Sequence, residues 1–215
     1  MRTNTIRSGS QLREREWNEA AKLFALRGGI SGVNLAQFLG RNRKTGQKLN
    51  RFFRGLVAPL QPTALPGVSE WDESMFSQQW VLGGVSRETQ QCLLQCVPDR
   101  REETLCPRVL RVAGAEGLVF TDEWGGYNDL YRHMTVCHER EFVNRQMQFV
   151  HTNQIEGIWG HCKTLSWHTY RGFPRDSLPS FLSECMFRYN LRRYETRVSV
   201  LSALLTRRFI NTLRV

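Results

Sequence analysis

The sequence predicts an α/β chain in which a mixed sheet flanked by helices follows a small all-helical module. Three observations carry that prediction. Positive charge is concentrated at the N-terminal end, the segments after residue 67 read as closely spaced strands where those before it read as helices, and the later strands and helices come in a telling order. The 215 residues suffice for one medium domain with an appendage, and 40% hydrophobic against 23% charged residues argues against wholesale disorder.

The N-terminal module comes first. From Gln11 to Arg27 the residues Leu12, Trp17, Ala20, Ala21, Phe24 and Leu26 recur at helical spacing, and Gly28-Gly29 ends the pattern. In VNLAQFLGRNRKTGQKLNRFFRGL, Leu35, Ala36 and Leu39 mark a short helix, Gly40 a turn, and Leu49, Phe52 and Phe53 the inner face of a second, basic helix. Ala36 with Gly40 four residues on is the small-residue, tight-turn pattern of two closely crossing helices, so residues 1–57 are read as a helix-turn-helix module. In such a unit the second helix lies in the major groove, which makes Arg41, Arg43, Lys44, Lys48 and Arg51 the candidate DNA contacts. A plain helical hairpin with a solvated basic face is the alternative.

The charge balance agrees with a polyanionic partner. The formal net charge is +10, and residues 1–67 hold 12 Lys/Arg against 3 Asp/Glu, a balance of +9, whereas residues 68–215 hold 18 against 17. The start lacks an apolar leader and no later run reaches the ~18 apolar residues of a membrane span, so the expected partner is double-stranded DNA with no membrane. The expected location is intracellular, in a bacterial cytoplasm or a eukaryotic nucleus. The six cysteines form no Cys-x-x-Cys pair and are read as reduced core residues.

Residues 58–67, APLQPTALPG, hold three prolines and a glycine and read as a linker. Residues 68–215 then form the second domain. VSEWDESMF, QQWVLGGVSRE and QCLLQCVP read as three strands of an antiparallel meander, REETLCPRVLRVAG as a helix, GLVFTDEW as a strand ending in acid, and HMTVCH as a short strand. Residues from Thr152 to Leu205 read as mostly helical. This is the element order of the ribonuclease-H-like fold.

In that fold acids from the first strand, the end of the fourth strand and a following helix come together, and here those places hold Asp72, Asp122 and Glu156, the last two separated by 33 residues. Carboxylates at such a site suit two divalent ions, Mg²⁺ or Mn²⁺, for metal-assisted phosphoryl transfer. Each acid has a plainer reading. Asp72 lies between Glu70 and Glu73 in what could be an acidic strand edge, Asp122 precedes Glu123 at a turn or helix cap, and Glu156 follows Asn153 at capping-box spacing.

The blocks EWDESMF, QWVLGGVSRET, VPDRREETL, FTDEWGGYNDL, HTNQIEGIWGHCK and FLSECMFRYN, spread over most of residues 68–195, resemble the Merlin-type DDE transposases and their bacterial insertion-sequence relatives with an ISXO-like DDE transposase domain. The resemblance implies that Asp72, Asp122 and Glu156 are catalytic metal ligands. It also implies that Lys163, two helical turns beyond Glu156, touches substrate DNA. The implied activity is that of a transposase that binds terminal repeats, cleaves DNA and joins the ends to target DNA, working as a homo-oligomer. The resemblance also implies a longer basic loop between the first two strands, where here ESMF runs into SQQWV with almost nothing between. That short loop after Phe76 keeps a second reading open, a transposase-derived DNA-binding protein without catalysis. A nuclease without transposition is a third.

Other residues are read as structural. His138 and His151 lack further zinc ligands nearby, Trp124, Trp159 and Tyr127 are read as packing, and Arg188, Arg192 and Arg193 as a basic helical surface that is either solvated or tracks phosphates.

Overall fold

The computed structural model describes residues 12–136 and 151–211. In chain order the elements are α1 (Glu14–Phe24), α2 (Gly32–Phe38), α3 (Arg43–Val57), β1 (Val68–Phe76), β2 (Gln79–Ser86), β3 (Cys92–Val97), α4 (Glu102–Ala113), β4 (Leu118–Asp122), β5 (His133–Val136), α5 (Asn153–Thr164), α6 (Leu178–Asn190) and α7 (Tyr194–Asn211). They form two compact units, Met1–Pro59 with Leu191–Val215, and Leu60–Asn190. Cys137 and His138 lie outside the described residues.

The first unit is helical. Trp17, Ala20, Ala21 and Phe24 are the buried face of α1 and Leu49 and Phe53 are buried on α3; Trp17 meets Phe52 and Phe53 edge-on, and the Phe24 and Phe53 rings stack at 5.1 Å. Ser31 caps α2 by accepting from the Asn34 N–H at 3.1 Å, and Asn42 caps α3 by accepting from the Thr45 N–H at 2.9 Å. Between those helices Gly40 takes a left-handed conformation with φ +60°, which suits glycine. The close crossing depends on a different glycine from the one the sequence pointed to. A Cβ on Gly46 would stand 1.9 Å from the Gly32 carbonyl oxygen and 2.9 Å from Ala36, whereas one on Gly40 would meet nothing.

Helix α7 belongs to this unit, although the sequence reading placed it with the sheet. It packs on α1 and α3. Its buried Arg197 donates to the carbonyls of Ala25 at 2.7 Å, Leu191 at 2.7 Å and Arg192 at 2.8 Å. A buried guanidinium engaged by three carbonyl oxygens satisfies the end of α1 and the turn before α7 together.

The second unit is a five-stranded sheet in the order β3-β2-β1-β4-β5. β1, β2 and β3 pair antiparallel as a meander, and β4 and β5 run parallel to β1 and to each other. Three strands, a helix and two further strands followed by helices agree with the mixed sheet flanked by helices expected from the sequence. The β1–β2 connection is a two-residue turn, Ser77 at φ 47° and Gln78 at φ 61°, and Phe76 pairs with Gln79 across it. Positive φ at both central residues matches the twist of a tight hairpin, so the short loop closes without glycine.

Residues 58–67, read as a linker, are fastened at several points. Leu65 is buried and its N–H donates to the Val112 carbonyl at 2.9 Å, while Gln61 donates to the Ser183 hydroxyl at 2.8 Å. Helix α6 also departs from expectation, because residues 181–188 are buried without interruption. Arg188 is therefore no surface cation. Its guanidinium pairs with Glu184 one turn earlier, and Tyr170 donates to the same carboxylate at 2.6 Å. Arg192 and Arg193 are exposed. Of the five described cysteines all are free thiols and four are buried, as core residues are.

Candidate active site

Alternation along β1 decides which side chains share a face. Glu70, Asp72 and Phe76 point to the side covered by α5, and Trp71 and Glu73 to the other. Glu70 is fully buried and does the work of a helix cap from another strand. One carboxylate oxygen accepts the N–H groups of Gln154 at 2.8 Å and Ile155 at 3.3 Å at the start of α5, and the other accepts Arg87 Nε at 2.8 Å. Arg87 also meets His151 Nδ1 at 2.8 Å and donates to the His151 carbonyl at 2.8 Å. A carboxylate against helical N–H groups is a charge-assisted contact placed where the helix dipole favours it. It ties the N-terminus of α5 to β1, two residues before Asp72.

Asp72 is half-buried, and both of its oxygens have donors. The Glu73 N–H reaches Oδ1 at 2.7 Å and the Trp159 indole N–H reaches Oδ2 at 2.8 Å. Trp159 can approach because Gly83 of β2 pairs with Asp72. A Cβ on Gly83 would stand 2.6 Å from the outer indole ring and 2.9 Å from Ile155 Cδ1. The next glycine repeats the device on the opposite face, where Gly84 lies under the Trp71 ring.

Asp122 ends β4. The parallel register sets Glu70 beside Phe120, and carrying it two residues further sets Asp72 beside Asp122. Asp122 Oδ1 accepts the Trp124 N–H at 3.1 Å, which shapes the turn after the strand. Glu156 is exposed on α5, one turn before Trp159, and its Oε1 accepts the Thr152 hydroxyl at 3.3 Å. Glu70 takes the capping role, and Asn153 is an exposed first residue of the helix. Lys163 is exposed in the last turn of α5.

Asp72 feels both of the other acids. Burial pushes the Asp72 carboxyl up to about 6, with the charges of Asp122 and Glu156 acting in the same direction and the Trp159 hydrogen bond against it. Glu73, on the other face, is pushed up to about 7, first by burial and then by Asp72 and Asp122, although Tyr127 donates to it at 2.5 Å and Arg100 approaches at 3.4 Å. As the side chains stand, no three His, Cys, Asp or Glu among the described residues close on a single ion. The all-oxygen donor set and the accumulated negative charge nevertheless suit a hard divalent cation.

The candidate DNA contacts are in the first unit. Arg43, Lys44, Lys48 and Arg51 are exposed on α3, opposite its buried Gly46, Leu49, Asn50 and Phe53. Arg41 precedes the helix and is engaged elsewhere. Its guanidinium donates to both oxygens of Glu16 at 2.7 and 3.0 Å, and this pairing holds the Glu16 carboxyl below its ordinary range. Trp159 and Tyr127 are buried as packing residues should be, but Trp124 is 42% exposed.

Sequence reasoning passed over Glu70, Gly83, Trp159 and Arg87 as site residues. One signal was present for Glu70, which is two positions before Asp72 and so on the same face. Nothing local announces that Gly83 makes room for an indole 76 residues away.

Comparison with known proteins bears on this architecture. A family model described as the ISXO2-like transposase domain matches residues 73–190. An "uncharacterized transposase-like protein" of Haemophilus influenzae is 25% identical over 112 residues, covering 50% of this chain and 88% of that protein. The catalytic core domain of BIV integrase aligns with a TM-score of 0.41 and 12% identity over 59% of this chain and 84% of that one. With more than half of its length matched by that model, the chain belongs to the ISXO2-like transposase domain family.

Proposed function

We propose that the protein is a DDE-type polynucleotidyl transferase that binds the terminal repeats of a mobile element, cleaves the DNA there and joins the released end to target DNA. The observation that supports this is that Asp72 of β1 lies close enough to Asp122, at the end of β4, and to Glu156, on α5, for both charges to act on its carboxyl, in a chain of a transposase family. Asp72, Asp122 and Glu156 are the residues that would hold Mg²⁺ or Mn²⁺, with two ions expected. Bound there, the cations supply charge neutralisation for an in-line phosphoryl transfer.

The chain's own residues do the positioning. Glu70 holds the start of α5, Trp159 orients the Asp72 carboxylate, and Gly83 leaves the room in which that contact forms. Lys163, exposed two turns beyond Glu156 on the same helix, would neutralise a phosphate of the bound strand. In the first unit, α3 opens with Arg43 and Lys44 and has no acid in its first turn, an unfavourable arrangement for the isolated helix dipole that a DNA phosphate relieves. Arg43, Lys44, Lys48 and Arg51 form the DNA-facing surface, with Arg41 bracing the turn through Glu16. Two element ends must be cut and joined together, which calls for a homo-oligomer on DNA.

The test is Mg²⁺-dependent cleavage and strand transfer on the element's own flanking DNA, with Asp122→Asn as the control. Joined product that disappears with the substitution supports the transferase. DNA that is bound by both proteins and cut by neither supports the non-catalytic DNA-binding reading, which the two-residue Ser77–Gln78 hairpin favours. Cutting without joining supports a nuclease.

A further inference from the structure

Trp124 is an exposed aromatic two residues beyond Asp122, and it is held unusually firmly for a surface side chain. Its N–H donates to Asp122 Oδ1 at 3.1 Å, and its indole N–H donates to the Arg100 carbonyl at 3.1 Å. The Arg100 guanidinium covers one face of the ring at 3.9 Å from the centroid and is itself laid over Trp80 at 4.4 Å. Arg100 is anchored in turn by Glu73 at 3.4 Å. The backbone below is cut to fit, because a Cβ on Gly126 would stand 2.8 Å from Trp124 Nε1 and 2.6 Å from the Arg100 carbonyl oxygen. The ring cannot swing inward, yet 42% of the residue is open to solvent.

Beside it lies a recess of about 410 Å³ lined by residues 100–103, Trp124, Gly125 and Gly126. Its size falls within the ~300–1,000 Å³ of small-ligand sites. The wall carries Arg100 and Arg101 as donors and Glu102 and Glu103 as acceptors, a charge-balanced set able to meet the polar edge of a nucleobase lying against the indole. Covering the Arg100–Glu73 pair needs only one face of the indole. The second face, solvent-exposed and already held in place, can take a stacked base at little further ordering cost.

We propose that Trp124 is a stacking platform for an unpaired nucleobase of the DNA strand held at the carboxylates. The proposal rests on the reading that those acids act on DNA. It adds that the strand is locally unpaired at the site, with one base unstacked onto the indole, which also stiffens the turn that carries Asp122.

The experiment is photo-crosslinking of the full-length protein to short single-stranded oligonucleotides carrying one 5-iodouracil, moved position by position, with adducts mapped by mass spectrometry. The expected result is an adduct on the peptide containing Trp124. Trp124→Leu should lower affinity for the same oligonucleotide by roughly 5- to 150-fold, and Trp124→Phe, which keeps a stacking face, should retain most of it. Adducts that map only elsewhere, absence of single-strand binding, or Trp124→Leu binding as tightly as the unaltered chain with its urea midpoint preserved would each overturn the proposal. Should Trp124→Leu unfold, the adduct on the unaltered chain and the Phe variant decide the matter. An adduct at Trp124 without Asp122-dependent cutting sinks the transferase and leaves the stacking site. Cutting without an adduct does the reverse.

Discussion

Gly83→Ala tests the link between the sheet and the first acid. The added methyl would stand 2.6 Å from Cζ2 and Cη2 of Trp159. Carbon atoms pack at ~3.5–4.0 Å, so the indole must retreat by about 1 Å. Its hydrogen bond to Asp72 Oδ2, now 2.8 Å, then stretches beyond bonding range. Overpacking of this kind costs ~1–3 kcal/mol, and a hydrogen bond to a charged group contributes ~1.5–3 kcal/mol, partly replaced by water at a half-buried site. The combined loss should be about 2–4 kcal/mol in urea unfolding of the full chain. The decisive measurement is the double-mutant cycle with Trp159→Phe, which removes both the outer ring atoms and the N–H. In the Phe background Gly83→Ala should cost much less, giving a coupling above ~1 kcal/mol. Costs that add within ~0.5 kcal/mol would refute the reasoning, since the alanine would then act through something other than the indole.

Three further outcomes are expected. Asp72 and Glu73 have carboxyls raised to about 6 and about 7 from ordinary values of 3.8 and 4.5, so between about pH 4 and pH 7 the folded chain binds more protons than the unfolded one, and stability should fall as pH rises through that window. Mg²⁺ at pH 7 should recover part of that loss in thermal melts, and Asp72→Asn should flatten the profile and remove the Mg²⁺ response; a pH-independent melting point between 4 and 7 defeats the argument. Glu70→Gln takes the charge partner from the half-buried Arg87 and weakens the cap on α5, for a cost of ~1.5–3 kcal/mol by urea unfolding, and a change below ~1 kcal/mol would show that the contact is incidental. Lys48→Ala should reduce the slope of log affinity for DNA against log salt by ~0.9, whereas Arg41→Ala should loosen the helical unit and leave the slope alone; equal slopes for Lys48→Ala and the unaltered chain would remove α3 from the DNA interface.

The strands and their succession along the chain were legible because each is written locally. Short runs such as VSEWDESMF and QQWVLGGVSRE with few residues between them mark adjacent strands, and the acid closing LVFTD marks the end of another. The basic face of α3 was legible for the same reason, since Lys44, Lys48 and Arg51 fall on one helical stripe. Arg188 was misread because a cation is assigned to the surface by its type, whereas this helix is buried all round and Glu184 one turn back neutralises it. Trp124 was misread as packing because an aromatic beside a strand end is read by type, while its exposure is set by what the fold leaves uncovered.

Sequence alone determined the elements, the charge division and the candidate acids, for these depend on side-chain type at short, regular spacing. Tertiary structure decided which surfaces meet. It sent α7 to the N-terminal helices, where Arg197 finds the end of α1, and it made Glu70 the cap of a helix whose first turn lies more than 80 residues away. It also made a glycine in β2 the space that aims Trp159 at Asp72. An apolar stripe records that a face is buried without naming its partner, and a buried polar group is tolerable only with a partner that the chain supplies from a distance.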